Sequence, residues 1–340
     1  MFVSVLMPVR NEADFIRRSL GAVLEQDYPR ELMEVIVIDG MSTDATREIV
    51  GEIAETDSRV RLLDNPKQIA PTALNIGTRE SKGEVVIRID GHCEIAKDYV
   101  SRCVEHLENG EADGVGGPIK TIGEGFVAKA IAIAMSSKFG VGGSAFRTID
   151  DRNIYVDTIA FPAYKRSVIE TVGGYDGEMV RNQDDEYNFR LRKMGFKLLL
   201  AADVRSRYHS RATVRKMISQ FAQYGFWKVR VLQKHPRQMS LRHFIPSVFV
   251  LSLLVFLIAT LFSPLGLIFL GAVFGSHLLI NLLFSLSASI REGIRFSLIL
   301  PFIFLAIHLS YGAGMLAGLL KFITRWRDFG SNVDSVEASI

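Results

Sequence analysis

Short apolar runs and amphipathic stretches alternate along the first hundred residues. Residues 2–9 form an apolar run, and the stretch that follows has its apolar positions at helical spacing. The same order returns at residues 34–39, 60–63 and 84–90. Apolar strands that each lead into a helix pair in parallel and are covered by helices on both faces. The pattern therefore predicts an α/β fold with a mostly parallel sheet.

Acidic residues end two of these predicted strands. Asp39 closes the second run and Asp90 closes the fourth, and parallel sheets bind ligands at the carboxyl ends of their strands. A hydrogen bond to a nucleobase or ribose would explain Asp39, and a divalent cation would explain Asp90 with His92. Such a cation would let an acidic domain hold a diphosphate. The simpler alternative for residues 90–92 is a strand-ending turn in which Gly91 supplies the bend.

The C-terminal third of the chain is apolar. Residues 244–290 are 47 positions without Asp, Glu, Lys or Arg, and residues 296–320 are another 25. A bilayer core about 30 Å thick needs roughly 20 apolar residues per helix. The pattern predicts three membrane-spanning helices, at about 244–262, 265–289 and 296–320. We therefore expect a multi-pass cell-membrane protein, and the alternative is a set of buried core helices.

Charge divides the rest of the chain. Residues 205–242 contain ten Lys or Arg and no acid, whereas residues 1–204 hold 25 basic and 33 acidic residues. We predict a domain at 1–204, a basic amphipathic segment at 205–243, a membrane region at 244–320 and a tail at 321–340. The basic segment is expected to lie on anionic lipid headgroups at the cytoplasmic face. A solvated basic helix and a nucleic-acid site are the alternatives, but attachment to an apolar hairpin favours lipid and no nucleic-acid partner.

The predicted three-span topology conflicts in part with the positive-inside tendency. Three spans from a cytoplasmic start would put Lys321, Arg325 and Arg327 on the far side, against the positive-inside tendency, although Arg291 and Arg295 obey it. Two alternatives stay open: one apolar segment is re-entrant, or the tail is an exception to the rule.

Short motifs between residues 8 and 192 resemble, in order and spacing, the inverting nucleotide-sugar glycosyltransferases of family 2. The motifs are Pro8-Val9-Arg10-Asn11-Glu12, Val37-Ile38-Asp39-Gly40-Met41-Ser42-Thr43-Asp44, Ala73-Leu74-Asn75-Ile76-Gly77, Asp90-Gly91-His92, Gly173-Gly174-Tyr175-Asp176, Gln183-Asp184-Asp185-Glu186 and Arg190-Leu191-Arg192. The resemblance covers nearly all of residues 1–215. It implies a GT-A fold, which is a Rossmann-like sheet that binds a nucleotide-sugar.

Within that family, residues 135–142 and the apolar tail look most like the membrane-bound glucosyltransferases of succinoglycan-type exopolysaccharide synthesis. The resemblance implies a nucleotide-sugar donor, with a UDP-sugar favoured, and Mn²⁺ or Mg²⁺ as the cofactor. His92 stands where the commoner pattern has a second Asp, and imidazole is a better ligand for Mn²⁺ than for Mg²⁺. The choice between the two metals therefore stays open.

Matching positions also carry over the donor site. The resemblance places Asp90 with His92 at the metal and diphosphate, and Asn75 near the nucleoside. The residues that it places around the nucleobase and ribose are Pro8, Val9, Glu12 and Asp39.

Inverting transfer needs one carboxylate as a base, since an acceptor hydroxyl must lose its proton as the sugar is displaced. Counting back from Gly195, at the end of a helix predicted over 188–194, the resemblance puts the family's acidic pair on Gln183 and Asp184. We expect Asp184 to be the catalytic base and Asp185 to be the reserve candidate. The alternative is an acidic helix N-terminus that the helix dipole stabilises.

The basic segment supplies candidates for binding the acceptor. Cations there could hold the diphosphate of a lipid-linked acceptor, and aromatic residues could sit at the membrane interface. The candidates are Arg211, Arg215, Gln220 and Trp227. A membrane-anchoring amphipathic helix is the alternative. Residues 223–227 do not match the Gln-x-x-Arg-Trp motif of processive members, which argues against a processive synthase.

Together these observations predict an enzyme that adds one sugar to a polyprenyl-diphosphate-linked saccharide, with its catalytic domain in the cytoplasm. A polyprenyl-phosphate sugar synthase and a short processive synthase remain alternatives. A non-catalytic membrane scaffold that binds nucleotide-sugars belongs to another class, and the joint presence of Asp39, Asp90 and Asp184 disfavours it. These three aspartates are expected to line one cleft.

Overall fold

A computed structural model describes residues 1–326, and the chain divides into two units. The first unit comprises residues 1–120 and 149–208, and the second comprises residues 121–148 and the described chain from residue 209 onward. Residues 327–340, which include Arg327 and most of the predicted tail, lie outside the described residues.

The strands are β1 (Val3–Val9), β2 (Met33–Asp39), β3 (Val60–Asp64), β4 (Val85–Arg88), β5 (Cys93–Ile95), β6 (Gly114–Gly116), β7 (Ile119–Ile122), β8 (Ile154–Tyr155), β9 (Ala163–Lys165), β10 (Leu198–Leu200) and β11 (Ser206–His209). The helices of the first unit are α1 (Ile16–Leu24), α2 (Thr46–Thr56), α3 (Ala70–Glu80), α4 (Tyr99–Glu108), α8 (Arg166–Val172) and α9 (Gln183–Lys193). Those of the second are α5 (Phe126–Met135), α6 (Lys138–Val141), α7 (Ala145–Thr148), α10 (Val214–Lys234), α11 (Ile245–Ala259), α12 (Pro264–Glu292) and α13 (Leu300–Lys321).

Eight strands within the described residues form one sheet, in the order β3-β2-β1-β4-β9-β6-β10-β8. Strands β1 to β4 pair in parallel, and so do β6 and β10. Strand β9 runs antiparallel to both β4 and β6, and joins the two parallel blocks. Every residue of β2 is buried, as expected for a strand covered on both faces. The prediction of a mostly parallel α/β sheet is confirmed.

Helix α3 packs closely on β1 and β2 because Gly77 has no side chain. A Cβ at this position would lie 2.8 Å from Cδ1 of Ile38, so a larger residue would force either the helix or the Ile38 side chain to move. The core then continues through Tyr164 to Tyr187 and Leu191 on α9. This packing fixes α9 against the sheet and thereby positions the acidic residues at its first turn.

Helix α9 begins earlier than the sequence predicts. The expected helix over 188–194 extends back to Gln183, and Asn182 precedes it in the left-handed backbone region, with φ of 59°. Asp184 and Asp185 therefore lie in the first helical turn. Negative side chains are favourable there because the helix dipole is positive at its N-terminus. Strand β4 ends at Arg88, so Asp90 follows the strand instead of closing it.

In the second unit, α10 packs along α13 through glycines. A Cβ on Gly314 would lie 2.1 Å from the carbonyl oxygen of Ala222, and one on Gly318 would lie 2.5 Å from that of Phe226. Lys228 and Arg230 on α10 are buried within this unit. These two cations of the basic segment therefore do not face lipid headgroups.

Three apolar helices occupy the predicted membrane region. Helices α12 and α13, with 29 and 22 residues, are the two within residues 1–326 that are long and apolar enough to cross a membrane. Helix α11 has 15 residues, which corresponds to about 22 Å, so it is short for a bilayer core. Only 6% of the apolar window of α12 is buried, against 44% for α13. Exposed apolar side chains such as Leu267 and Phe269 make α12 a candidate for contact with lipid.

Candidate active site

Asp39 organises the loop that follows β2. Its carboxylate is fully buried and accepts hydrogen bonds from the Ser42 backbone nitrogen at 2.9 Å, from the Ser42 hydroxyl, and from Arg47 Nη1 at 2.8 Å. Arg47 also pairs with Asp64 at 2.8 Å. Because these protein groups occupy both oxygens of Asp39, the residue fixes the shape of the loop that follows β2. Its direct contact with a nucleobase or ribose stays a prediction.

The turn after β4 approaches the loop after β1 very closely. Gly91 permits this approach, since a Cβ there would lie 2.9 Å from Cγ1 of Val9. Nδ1 of His92 lies 2.8 Å from Oε1 of Glu12, which is in the loop between β1 and α1. A predicted donor residue and a predicted metal residue are thus brought together.

The surroundings of His92 favour the protonated form of its imidazole. Burial alone would lower the pKa of its imidazole, but the adjacent Tyr208 and the Glu12 carboxylate outweigh burial and raise that pKa to about 9. The ring meets Tyr208 edge-on, with centroids 5.0 Å apart. A protonated imidazole has no lone pair for a metal, so His92 must lose a proton before it can act as a ligand.

Asp90 is bound by the arginine that ends β4. Arg88 donates from Nε to Oδ1 at 2.9 Å and from Nη2 to Oδ2 at 3.2 Å. Burial would raise the pKa of Asp90, but Arg88 outweighs it and lowers that pKa. The charges of Asp90 and of Asp184 both act on Arg88 and raise its pKa against the effect of burial. Arg88 therefore links the predicted metal residue electrostatically with the predicted base.

Buried hydrogen bonds hold the helix that carries Asp184. The fully buried Asn188 donates from its amide to the Thr158 hydroxyl at 3.0 Å and accepts from the Tyr164 hydroxyl. Arg190 forms a buried ion pair with Glu186 at 3.0 Å. Glu186 is therefore part of the support of the helix, while Asp184 and Asp185 are half-buried at its start.

Asn75 fastens the loop of the Gly-Gly-Tyr-Asp motif. Its Nδ2 donates to the Tyr175 carbonyl at 2.8 Å, and its Oδ1 accepts from the Tyr175 backbone nitrogen at 2.7 Å. The Tyr175 ring stacks on Tyr187 of α9, with centroids 4.3 Å apart. The amide of Asn75 thus positions this loop, and its contact with the nucleoside stays a prediction.

Asp39 and Asp90 lie at the same edge of the sheet. Strand β1 separates β2 from β4, so the two residues follow strands that are about 10 Å apart, or two strand spacings. Residues 4–173 match the model of the family described as "Glycosyl transferase family 2". The chain belongs to glycosyltransferase family 2.

Two relatives of this glycosyltransferase are similar over most of the chain. Succinoglycan biosynthesis protein ExoA of Rhizobium meliloti (strain 1021) is 32% identical over 244 residues, which cover 71% of this chain and 73% of ExoA. Dolichyl N-acetyl-alpha-D-glucosaminyl phosphate 3-beta-D-2,3-diacetamido-2,3-dideoxy-beta-D-glucuronosyltransferase of Methanococcus voltae is 26% identical over 328 residues, which cover 94% of this chain and 98% of the relative.

Solved structures share the fold at low identity. The mannosyltransferase PcManGT from Pyrobaculum calidifontis, in complex with GDP-Man and Mn²⁺, has a TM-score of 0.60 at 20% identity and covers 94% of this chain and 87% of its own. S. aureus TarS 1–349 in complex with UDP-GlcNAc has a TM-score of 0.51 at 13% identity, with coverage of 94% and 92%. The predictions of a GT-A fold and of a transferase enzyme are confirmed.

The donor atoms of this glycosyltransferase suit a shared cation better than one held by protein alone. Within residues 1–326, no three His, Cys, Asp or Glu side chains are grouped to hold a metal. Asp90 and His92 offer a carboxylate and an imidazole, both suitable for Mn²⁺, but each already has a protein partner. The residues therefore fit a cation that takes most of its ligands from a diphosphate and water.

The predicted acceptor residues lie in the second unit. Arg215 is exposed on α10, whereas Gln220 is buried and donates from Nε2 to the Tyr224 hydroxyl at 2.9 Å. Trp227 packs against Phe322, with ring centroids 5.7 Å apart. Arg211 is half-buried before α10 begins. Trp227 therefore contributes to packing within its unit, and the acceptor roles of these residues stay predictions.

Sequence reasoning missed Arg88 as a member of the site. The sequence does contain a feature that could have identified it, because this arginine interrupts the otherwise apolar residues 85–89. A charge inside a buried strand needs a partner, and Asp90, two residues on, is that partner.

Proposed function

We propose that this chain is an inverting glycosyltransferase that moves one sugar from a nucleotide-sugar, with a UDP-sugar favoured, to a membrane lipid-linked saccharide. The observation that carries this proposal is the ion pair of Arg88 with Asp90 after β4, and the charge of Asp184 also acts on Arg88 and raises its pKa. The positive charge of Arg88 thus acts on Asp90, the proposed metal ligand beside the diphosphate, and on Asp184, the candidate base. Such a pair is what a direct displacement at the anomeric carbon requires.

In the proposed reaction, Asp184 accepts the proton of the acceptor hydroxyl as the hydroxyl oxygen bonds to the anomeric carbon. The bond between that carbon and the diphosphate oxygen breaks, and its electron pair leaves with the nucleoside diphosphate. One displacement inverts the anomeric configuration. Asn188 and Arg190 hold the helix of Asp184 in place, so that the base does not need to reorganise during the reaction.

Asp90 would hold Mn²⁺ or Mg²⁺, with His92 as a second ligand after it loses its proton. A bound cation would neutralise the charge that develops on the departing diphosphate. The metal in the PcManGT complex supports this proposal, and the carboxylate and imidazole of the site are compatible with it.

A lipid-linked acceptor is supported by the relative from Methanococcus voltae, whose name specifies a dolichyl phosphate sugar as its acceptor. The name of ExoA supports a role in exopolysaccharide synthesis. We propose a polyprenyl-diphosphate-linked saccharide, with Arg211 and Arg215 as candidates for binding its diphosphate. Fixing the enzyme to the membrane raises its effective concentration toward such an acceptor.

We propose a multi-pass protein of the cell membrane whose N-terminal domain lies in the cytoplasm. Helices α12 and α13 have spanning length, and α11 is short. This favours the re-entrant alternative, in which α11 does not cross. Lys321 and Arg325 would then lie on the cytoplasmic side, as the positive-inside tendency prefers, and Arg295 on the other.

Mass spectrometry of lipid products tests this function. Membranes that contain the enzyme, a panel of nucleotide-sugars and lipid-linked saccharides should yield an acceptor heavier by one sugar residue. A sugar attached to polyprenyl monophosphate would instead indicate a polyprenyl-phosphate sugar synthase. A ladder of masses would indicate a processive synthase, and either result would overturn the proposal of a single addition.

A further inference from the structure

Arg88 forms an ion pair with Asp90, the carboxylate that the proposed function assigns to the metal. Its guanidinium covers both oxygens of Asp90 in a fork, and the side chains of the two residues are 10% and 20% exposed. Arg88 extends from the buried strand β4, so its charge is largely shielded from bulk water. A metal ion on Asp90 must compete with this guanidinium for the same oxygens.

The competition is unfavourable for a metal ion that arrives alone. Displacing Arg88 would leave a buried cation beside a divalent one, and buried charges without a counter-ion are costly. A diphosphate changes the balance, because it brings negative charge and further oxygen ligands. The metal and the diphosphate together can therefore offset the loss of the Arg88–Asp90 pair.

A displaced Arg88 has a second carboxylate nearby. The charge of Asp184 already acts on Arg88 in addition to that of Asp90. The guanidinium can therefore keep Asp184 as a counter-ion when Asp90 binds a metal. The charges of two acidic residues therefore act on Arg88, and one of them, Asp90, is its hydrogen-bonded partner.

We propose that Arg88 is a positioning residue that occupies Asp90 until a nucleoside diphosphate arrives, so that the metal enters with the diphosphate and not before it. This inference rests on the proposed function of Asp90 as a metal ligand. It concerns the order in which the site fills, and not the reaction itself.

Mn²⁺ binding to the full-length protein in detergent tests the inference, with free Mn²⁺ measured by electron paramagnetic resonance. The wild type should bind Mn²⁺ at least about tenfold more tightly with UDP than without it. Arg88→Met should bind Mn²⁺ without nucleotide at least about tenfold more tightly than the wild type, because its competitor is gone. UDP should then tighten Mn²⁺ binding less in Arg88→Met than in the wild type.

Arg59→Met is the matched control. The side chain of Arg59 is 9% exposed, and it also forms a forked ion pair with an aspartate two residues away, with Nε to Asp57 Oδ1 at 2.9 Å and Nη2 to Asp57 Oδ2 at 2.7 Å. It precedes β3, at the opposite end of the sheet from Asp39. Arg59→Met should bind Mn²⁺ without nucleotide as the wild type does.

Two further measurements cover a loss of stability in the Arg88→Met variant. Mn²⁺ without nucleotide should raise the melting temperature of Arg88→Met but not that of the wild type, since a ligand stabilises the state that binds it. Arg88→Lys, which keeps the charge without the fork, should show an intermediate Mn²⁺ affinity and serves if Arg88→Met does not fold.

The outcomes separate the two proposals. If the wild type binds Mn²⁺ with UDP but the Arg88 variants bind Mn²⁺ alone no more tightly than the wild type, the role of Arg88 is overturned and the metal site stands. If the wild type binds no Mn²⁺ even with UDP, the metal assignment fails and this inference fails with it.

Discussion

Asn75 and Tyr175 are joined by two reciprocal hydrogen bonds, at 2.8 and 2.7 Å, between one side-chain amide and one backbone unit. The pair lies a hundred residues apart in the chain and fastens the loop before α9 to α3. Because Tyr175 also stacks on Tyr187 of α9, the position of Asp184 depends on this contact.

Asn75→Ala should therefore impair both stability and transfer. The change leaves two buried backbone groups of Tyr175 without partners, which costs roughly 1–3 kcal/mol for each group. We expect a lower melting temperature and a lower kcat for transfer. The exposed Asn109→Ala should change neither. An unchanged melting temperature in Asn75→Ala would show that the two hydrogen bonds between Asn75 and Tyr175 do not hold the loop.

His106 should make the stability of the first unit depend on pH. It lies between Asp203 and Glu111, at 3.0 and 2.8 Å, and these carboxylates outweigh burial and raise its pKa above 6.5. The resulting stabilisation is complete below about pH 6.5 and is lost as the pH rises through the folded-state pKa. His106→Gln should therefore lower the melting temperature more at pH 6 than at pH 9.

Asp203→Asn provides the complementary check on His106, because it removes one of the two carboxylates and should reduce the pH dependence. An equal effect of His106→Gln at both pH values would show that the histidine is not held as a cation.

Sided labelling of cysteines tests the proposed topology. In intact cells, an impermeant maleimide should label Arg295→Cys, whereas Arg325→Cys should react only after permeabilisation. Lys97→Cys, exposed in the first unit, should also react only after permeabilisation. The native Cys93 and Cys103 are buried and contribute little background. Three spans would give the opposite pattern at residues 295 and 325.

Neutralising Arg211 and Arg215 should affect the acceptor more than the donor. If their cations bind the acceptor diphosphate, the double Ala variant should raise the acceptor KM by about tenfold, while hydrolysis of the donor alone changes little. Arg207→Ala, an exposed change on β11, is the control. Equal losses in both reactions would argue against acceptor binding by these arginines.

Much of the parallel sheet could be predicted from hydrophobic pattern, because β1, β2 and β3 are mostly apolar runs that lead into helices. Strands β6, β8, β9 and β10 are two or three residues long, which is too short for a hydrophobic period to show. The antiparallel position of β9 between β4 and β6 is a long-range pairing that no local pattern carries.

The candidate site likewise contains residues that the sequence predicts and partners that only the fold brings to them. The order of the motifs predicted Asp90 and Asp184, because each lies in a short sequence motif that can be recognised without knowledge of the fold. The partners that occupy them, Arg88 above all, depend on the folded arrangement. Likewise, the pattern of α10 predicts an amphipathic helix, but its close packing on α13 depends on glycines in both helices.

The transfer rate of Asp184→Asn tests the central claim most directly. In a single turnover from a radiolabelled UDP-sugar to a lipid-linked acceptor, we expect this variant to lose about 10²–10⁴-fold in rate, while its UDP affinity stays near that of the wild type. Asp185→Asn, in the same helical turn, should keep most of the rate. Transfer by Asp184→Asn at close to the wild-type rate would contradict the assignment of Asp184 as the base.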